Sequence, residues 1–150
     1  MYDELYGMIS KIKLYNKKEG SNSNRLGFPT HRGCLFGMVK AKYKGIVELS
    51  YYSRKYPDIH DAIMKVGKTI CPFEFTQVQV NHNLVCPPHK DKANKTNSMI
   101  VSFGEYTGGL LVIEGVEHNT YHAPLQFDGV NNTHWNTPLI GNKYSLIFFS

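Results

Sequence analysis

Hydrophobic positions recur with helical spacing in two stretches of the chain. In the first, apolar residues three or four positions apart predict a helix over residues 3–15, with acidic residues in its first turn. In the second, Pro57 and Asp58 begin a stripe that ends near Gly67. The apolar positions of the two stripes are Leu5, Met8, Ile9 and Ile12, and Ile59, Ala62, Ile63 and Val66. Both helices are expected to brace a sheet.

Most other apolar runs have the length of strands. They are short, rich in β-branched and aromatic residues, and separated by turn residues. Residues 104–108 contain two glycines and predict a hairpin turn between two of these strands. The predicted strands are 34–39, 46–52, 73–84, 99–103, 109–113, a strand end at 126–129, and 143–149. Together with two helices they predict one α+β domain, mainly β, with a small sandwich or barrel.

The strand at residues 73–84 has two unlike faces. Val78 and Val80 point to one side, while Gln79, Asn81 and Asn83 point to the other. A half-buried strand with its amides in water has this pattern. So does a barrel strand whose amides line a polar cavity, and both interpretations stay open.

Composition places the chain among ordinary globular proteins. It has 150 residues, with 41% hydrophobic and 19% charged, which suits a single domain over residues 1–150. Three cysteines without CxxC spacing favour a reducing compartment. The first residues do not match a signal peptide, and no apolar run approaches the roughly 20 residues that span a bilayer. We expect a soluble intracellular protein, cytoplasmic or nuclear, without a membrane partner.

The net charge of +5 favours anionic partners without identifying one. Basic residues in the first half of the chain are interspersed with aromatic ones, a mixture that suits contact with a polyanion. A solvated basic face with ordinary core aromatics would look the same. The residues concerned are Arg25, His31, Arg32, Lys40, Lys42 and Lys44, with Phe28, Phe36 and Tyr43.

A candidate metal site begins at His89 and Asp91. Residues two apart on an extended chain point to the same side, so an imidazole and a carboxylate can meet at one point. A second histidine from a distant strand, His134, would complete two histidines and one carboxylate on one face of a metal. This ligand set is diagnostic of non-haem Fe(II) oxygenases. His-x-Asp alone is also common as a solvated pair or a turn cap.

Lys143 and Ser145 share one face of the last predicted strand. An ammonium and a hydroxyl that project together can bind a carboxylate. A lysine here could equally be a solubilising charge on an edge strand.

Taken together, these residues resemble the double-stranded β-helix (jelly-roll) dioxygenases that use Fe(II) and 2-oxoglutarate. The family pattern is His-x-Asp, a later His, and then a basic residue, often Arg-x-Ser, where this chain has Lys143-Tyr144-Ser145. The resemblance covers residues 73–150 as the jelly-roll core that binds metal and cosubstrate, with residues 1–72 as a helical and strand support. Residues 106–110 also resemble the family's hairpin.

Two short strings, Asn81-His82-Asn83-Leu84 and His134-Trp135-Asn136-Thr137, look most like the branch of thymine hydroxylases and methylcytosine dioxygenases, the base J and TET-like enzymes. Related nucleic-acid oxygenases hold 2-oxoglutarate with Asn-x-Tyr. Asn81 matches the first position of that motif, and Asn83 replaces its tyrosine.

The resemblance implies a set of roles. His89, Asp91 and His134 would bind Fe(II) and be the catalytic centre, and 2-oxoglutarate would contact Lys143, Ser145 and Asn81. Gln79 and Trp135 would line the cavity. O2 would be the oxidant, ascorbate an optional reductant, and oxidative decarboxylation of 2-oxoglutarate would accompany hydroxylation of a C–H bond.

The substrate is expected to be a nucleic-acid base. A flipped base needs insertion elements for which a short chain has little material, so a single strand is favoured over a duplex. The alternatives are a protein (prolyl-type) hydroxylase, a non-catalytic jelly-roll binding module, and a cupin-like protein with zinc or nickel.

Overall fold

A computed structural model of the protein describes residues 1–14, 32–40, 45–92 and 97–150. These ranges contain three helices and nine strands, numbered in chain order. The helices are α1 (Tyr2–Ile9), α2 (Tyr51–Lys55) and α3 (Pro57–Ile70). The strands are β1 (Arg32–Lys40), β2 (Val47–Leu49), β3 (Gln77–His82), β4 (Ser98–Gly108), β5 (Leu111–Ile113), β6 (Val116–His118), β7 (Leu125–Phe127), β8 (His134–Asn136) and β9 (Leu139–Phe149).

Two antiparallel sheets face each other. The larger has the strand order β2-β1-β3-β9-β4-β7, and the smaller has the order β6-β5-β8. An isolated antiparallel bridge between His89 and His134 adds one more segment beside β8. Ile100 and Phe127 of the larger sheet pack against Leu111 of the smaller one. The chain crosses from the larger to the smaller sheet between β4 and β5, and from β6 to β9 each consecutive strand lies in the other sheet, as in a jelly roll.

The helices cover the outer face of the larger sheet. Val78, Leu146 and Phe148 project from β3 and β9 into the main hydrophobic core, where they meet helix residues such as Ile9 and Ile63. All five side chains are completely buried. The prediction of a mainly β jelly roll braced by amino-terminal helices is confirmed.

Two predicted elements in the first half have different bounds in the structure. The first helix ends at Ile9 rather than near residue 15, because Leu14 turns into the core and the Tyr52 hydroxyl donates a hydrogen bond to Lys13 O (3.2 Å). The strand predicted over 46–52 ends at Leu49. Helix α2 follows it, because the Ser50 side chain accepts a hydrogen bond from Ser53 N (3.2 Å) and caps the helix.

The predicted hairpin at residues 104–108 is wrong. Strand β4 runs through this stretch to Gly108 and pairs with β9, not with β5. Gly104 has a φ of 123°, and a Cβ there would collide with Asn142 O, so the glycine permits close strand pairing instead of a turn. The chain reverses at Gly108 and Gly109 (φ 73° and 62°) and crosses to the other sheet.

Other expectations can be compared with the described residues. The three cysteines are free thiols, as expected. Phe36 is completely buried and therefore belongs to the core rather than to a binding face. Arg25, Phe28, His31 and residues 42–44 of the basic and aromatic group lie outside the described ranges. In the part of the chain that the structure describes, no helix combines the length and apolar character needed to cross a membrane.

Candidate active site

The structure brings His89, Asp91 and His134 together. Asp91 Oδ1 lies 3.6 Å from Nε2 of each histidine, and the ligand atoms of all three residues lie within 4.8 Å of one another. Backbone pairing produces this arrangement, since His89 and His134 exchange two N–H···O bonds (3.1 and 3.0 Å). Sequence positions far apart thus become direct neighbours in the smaller sheet.

Both histidines have the tautomer that a metal requires. His89 Nδ1 donates a hydrogen bond to Pro87 O and His134 Nδ1 donates one to Asn132 O, each at 2.9 Å. With a proton on Nδ1, each ring presents Nε2 as the metal-binding atom, and a metal would displace the proton that Asp91 favours on His89 Nε2. His89 Nε2 is buried without any hydrogen-bond partner among the described residues. A buried polar atom of this kind is costly unless a ligand satisfies it, so the residues fit a metal ion.

The Asp91 carboxylate and the histidines of the cluster shift each other's ionisation. The adjacent Asp91 carboxylate raises the pKa of His89 to about 10. Burial alone would raise the pKa of Asp91, but the two histidines outweigh it and hold that pKa below its ordinary value. The carboxylate is therefore ionised, as a cation ligand must be.

Lys143 lies in the interior and is only 2% exposed. Its Nζ donates a hydrogen bond to Gly109 O (2.5 Å) and lies 5.7 Å from the centre of the Tyr106 ring. Burial lowers its pKa to about 8. Among the described residues, no carboxylate pairs with it. The interpretation of Lys143 as a solubilising edge charge is wrong, and the buried ammonium suits an anionic ligand.

Other polar side chains lie on the same inner face of the larger sheet as Lys143. Ser145 lies opposite Asn81 in the pairing of β9 with β3, and its Oγ lies 3.1 Å from Ser102 Oγ. Gln79 Nε2 donates a hydrogen bond to Asn81 Oδ1 (3.1 Å). Since Gln79 and Asn81 are 6% and 2% exposed, the amide face of β3 lines an interior rather than meeting water.

Trp135 departs from its predicted position. It follows His134 in β8 and pairs with Val112, while His134 pairs with Ile113, so the two side chains point to opposite faces of the strand. The expectation that Trp135 lines the cavity beside His134 is therefore wrong.

Sequence reasoning missed the role of Asn83. This residue adopts a left-handed conformation (φ 55°), and its Oδ1 accepts a hydrogen bond from Lys143 N (2.8 Å). Its own N–H donates to Lys143 O, also at 2.8 Å. Asn83 thus fixes the backbone that carries Lys143. Asparagine tolerates a positive φ better than most residues. The asparagine at the position where the Asn-x-Tyr motif has tyrosine was therefore the sequence signal for this conformation.

Replacing Asn83 with alanine should lower the free energy of unfolding by about 1–3 kcal/mol, because Lys143 N would lose its acceptor and alanine disfavours positive φ. Urea denaturation of the metal-free protein measures the change. Asn83→Asp retains the acceptor and is the matched control, expected to lose less. Equal stability of the alanine variant and the wild type would contradict this role.

Comparison with solved structures shows which known proteins share this fold. No family profile and no curated protein matches the chain. Among solved structures, NgTET1 in complex with 5mC DNA aligns with a TM-score of 0.64 at 14% identity over 99% of this chain. The chain spans 66% of the NgTET1 chain. The chain has the fold of the 2-oxoglutarate and Fe(II) oxygenases.

Two further structures agree with this oxygenase fold. An oxidoreductase of the 2OG-Fe(II) oxygenase family from Burkholderia pseudomallei gives a TM-score of 0.56 at 14% identity, covering 98% of this chain and 76% of its own. A Pseudomonas putida prolyl-4-hydroxylase gives 0.52 at 11% identity, covering 98% of this chain and 82% of its own. The predicted resemblance to the superfamily is confirmed at the level of fold, and residue roles rest on the geometry of the site.

Proposed function

We propose that the protein is an Fe(II)- and 2-oxoglutarate-dependent dioxygenase. One observation carries the proposal: a His–Asp–His cluster and a buried ammonium, without a carboxylate partner among the described residues, both lie inside one jelly roll. Phe127, from the core between the two sheets, packs edge-on against His134, with ring centroids 5.3 Å apart, so the cluster borders the same interior as Lys143. A metal and a carboxylate would satisfy these groups.

His89, Asp91 and His134 would bind the Fe(II), with the histidine Nε2 atoms and the Asp91 carboxylate as ligands. This set leaves the opposite side of the metal open. The bound iron and 2-oxoglutarate supply the chemistry, in which O2 oxidises the cosubstrate to succinate and CO2 and the substrate C–H bond is hydroxylated, with ascorbate as an optional reductant. The protein contributes placement and a site shielded from water.

Lys143 would hold the far carboxylate of 2-oxoglutarate through its ammonium. Ser145 would donate a hydrogen bond from its hydroxyl to the same carboxylate. Its Oγ lies 3.1 Å from Ser102 Oγ, which lies 2.8 Å from Thr120 Oγ1. Because each hydroxyl in this chain can donate or accept, the Ser145 proton is free to point toward the ligand. Asn81, on the same face, would contribute its amide. The charged donor of Lys143 and the neutral donor of Ser145, neighbours on one face of β9, would favour a dicarboxylate over a neutral ligand.

We propose a nucleic-acid base as the substrate, in a single strand or flipped from its stack. The net charge of +5 favours a polyanion, and NgTET1, solved with 5mC DNA, aligns with a higher TM-score than the other two structures. A prolyl-type protein substrate is the second candidate, supported by the alignment with the prolyl-4-hydroxylase. Both substrates would use the same metal and cosubstrate residues.

The cofactor part of the proposal can be tested by anaerobic titration with Fe(II) and then 2-oxoglutarate. A weak visible charge-transfer band is expected in the wild type and should be absent in His134→Ala. His118→Ala, which changes a histidine on β6 outside the cluster, is the matched control and should retain the band. A well-folded wild type without the band would favour the non-catalytic binding module.

The substrate part needs a separate assay. Succinate formation should rise when single-stranded oligonucleotides are added, more than with duplexes or proline-rich peptides, and the binding of oligonucleotides should weaken steeply with salt. Stimulation by the peptides alone would favour the prolyl-type alternative while leaving the iron and cosubstrate roles intact.

A further inference from the structure

The loop between β7 and β8 supports two of the three proposed metal ligands at once. Gly129 O accepts a hydrogen bond from Asp91 N (2.8 Å), and Asn132 O accepts the one from His134 Nδ1 (2.9 Å). The first bond fixes the backbone that carries the carboxylate. The second fixes the tautomer and the ring orientation of the imidazole. Both acceptors are backbone atoms, so their positions depend on the shape of residues 128–133.

Asp128 determines that shape. Its Oδ1 accepts hydrogen bonds from Val130 N and Asn131 N, each at 3.1 Å, and its Oδ2 accepts one from Asn131 Nδ2 (2.6 Å). Asp128 O accepts a further bond from Asn132 N (3.1 Å). The side chain therefore folds the loop back on itself between the two carbonyls that hold the ligands. These donors also lower the pKa of the Asp128 carboxyl, so the group is ionised at neutral pH.

Gly129 shows how closely the loop approaches the site. A Cβ at this position would collide with Asp91 Oδ2. The loop backbone thus lies directly against the carboxylate oxygen that does not face the histidines. A change in the shape of the loop would move both Gly129 and its carbonyl relative to Asp91.

We propose that Asp128 is a positioning residue of the metal centre. Its carboxylate holds the loop so that Gly129 O and Asn132 O orient Asp91 and His134. The inference rests on the proposed metal site, and it adds a residue that does not touch the metal. The chemical requirement is for acceptor oxygens at the Asp128 position, close enough to receive both backbone N–H groups.

The test measures the equilibrium binding of Co(II), a redox-stable probe, together with the visible spectrum of the bound ion, which depends on coordination geometry. Asp128→Ala should weaken Co(II) binding by about 10- to 100-fold, the usual effect of losing a partner behind the ligands, and should alter the spectrum. Asp128→Asn keeps one acceptor oxygen for Val130 N and Asn131 N, and should recover most of the affinity. Asp128→Glu keeps the charge but displaces the oxygens, and should resemble Asp128→Ala.

Controls separate this effect from charge, from folding and from the proposed function. Glu117→Ala removes an exposed acid on β6 and should leave Co(II) binding unchanged. Far-UV circular dichroism of each metal-free variant verifies that it is folded. Wild-type affinity and spectrum in Asp128→Ala or Asp128→Glu, or no recovery in Asp128→Asn, would overturn the positioning role alone. A folded wild type that binds no Co(II) would overturn the metal centre and this inference together.

Discussion

Replacing Asp91 with alanine should lower substrate-dependent succinate formation by about a thousandfold or more, equivalent to roughly 4 kcal/mol or more of transition-state stabilisation. The carboxylate is the only anion in the described cluster, and its Oδ1 lies 3.6 Å from both histidine Nε2 atoms. Two neutral imidazoles alone bind a divalent ion weakly, and they would be free to rotate. The measurement is succinate release at saturating Fe(II), with isothermal titration of the metal in parallel.

Lys90→Ala is the matched control for Asp91→Ala. Lys90 is the exposed neighbour of Asp91, so the variant perturbs the same loop without removing a ligand. It should retain metal binding and substrate-dependent succinate formation. A fully active Asp91→Ala protein would refute the three-ligand site, and equal losses in both variants would assign the effect to the loop rather than to the carboxylate.

Replacing Lys143 with methionine should weaken 2-oxoglutarate binding by about a hundredfold or more while metal affinity is retained, because a buried charge pair is worth several kcal/mol when one partner is truncated. Methionine keeps an unbranched side chain in the space beside Gly109 and removes the charge together with the hydrogen bond to Gly109 O. Lys65→Met, on the exposed face of α3, is the control. Unchanged cosubstrate affinity in Lys143→Met would place the carboxylate contact elsewhere.

The pH dependence of cosubstrate binding provides a second test of Lys143. Burial lowers the pKa of this amine to about 8, and only the ammonium attracts a carboxylate. Affinity for 2-oxoglutarate should therefore be flat below pH 8 and fall by up to about tenfold per pH unit above it. The dicarboxylate stays ionised throughout this range. Lys143→Met should bind weakly with no such fall, which separates the lysine from any effect of pH on the metal.

The same shift has the opposite sign for the stability of the ligand-free protein. Below pH 8 the amine is protonated in both the folded and the unfolded chain, and folding must bury a charge. Between pH 8 and the ordinary lysine value the unfolded chain binds more protons, so this group makes folding more favourable as pH rises. Urea denaturation across this window should show the free energy of unfolding of wild type rising relative to that of Lys143→Met, a difference that cancels the titration of groups common to both proteins. The contribution of Lys143 to cosubstrate affinity and its contribution to ligand-free stability thus change in opposite directions.

Simple alternation along strands was enough to predict the main parts of the site. His89 and Asp91, two positions apart, do meet at one point, and Lys143 and Ser145 do share a face. The same rule, applied to His134, would have placed Trp135 on the other side of β8. These predictions depend only on the side-chain period of an extended chain, which holds whatever the sheet looks like.

The remaining parts depended on features that leave little trace in the residue types. Pro87, Gly129 and Asn132 act through backbone carbonyls, which every residue has, so no pattern marks them. Gly104 and Gly108 suit a turn as well as close strand pairing, and only the tertiary contact with β9 decides between them. Ser50 caps a short helix inside a stretch whose apolar residues also suit a strand.

In the middle of strand β9, alternate side chains face the interior of the jelly roll and the helices. Lys143 and Ser145 face the interior of the jelly roll, while Tyr144, Leu146 and Phe148 face the helices. Substitutions at Lys143 and Ser145 should alter ligand preference at little expense to folding, whereas those at Tyr144, Leu146 and Phe148 should alter folding with little effect on ligand preference. A library that varies only Lys143 and Ser145, with Gln79 and Asn81 of β3, would explore new cosubstrates on an unchanged scaffold. The side chains that face the interior of the jelly roll can therefore change in evolution independently of those that pack against the helices.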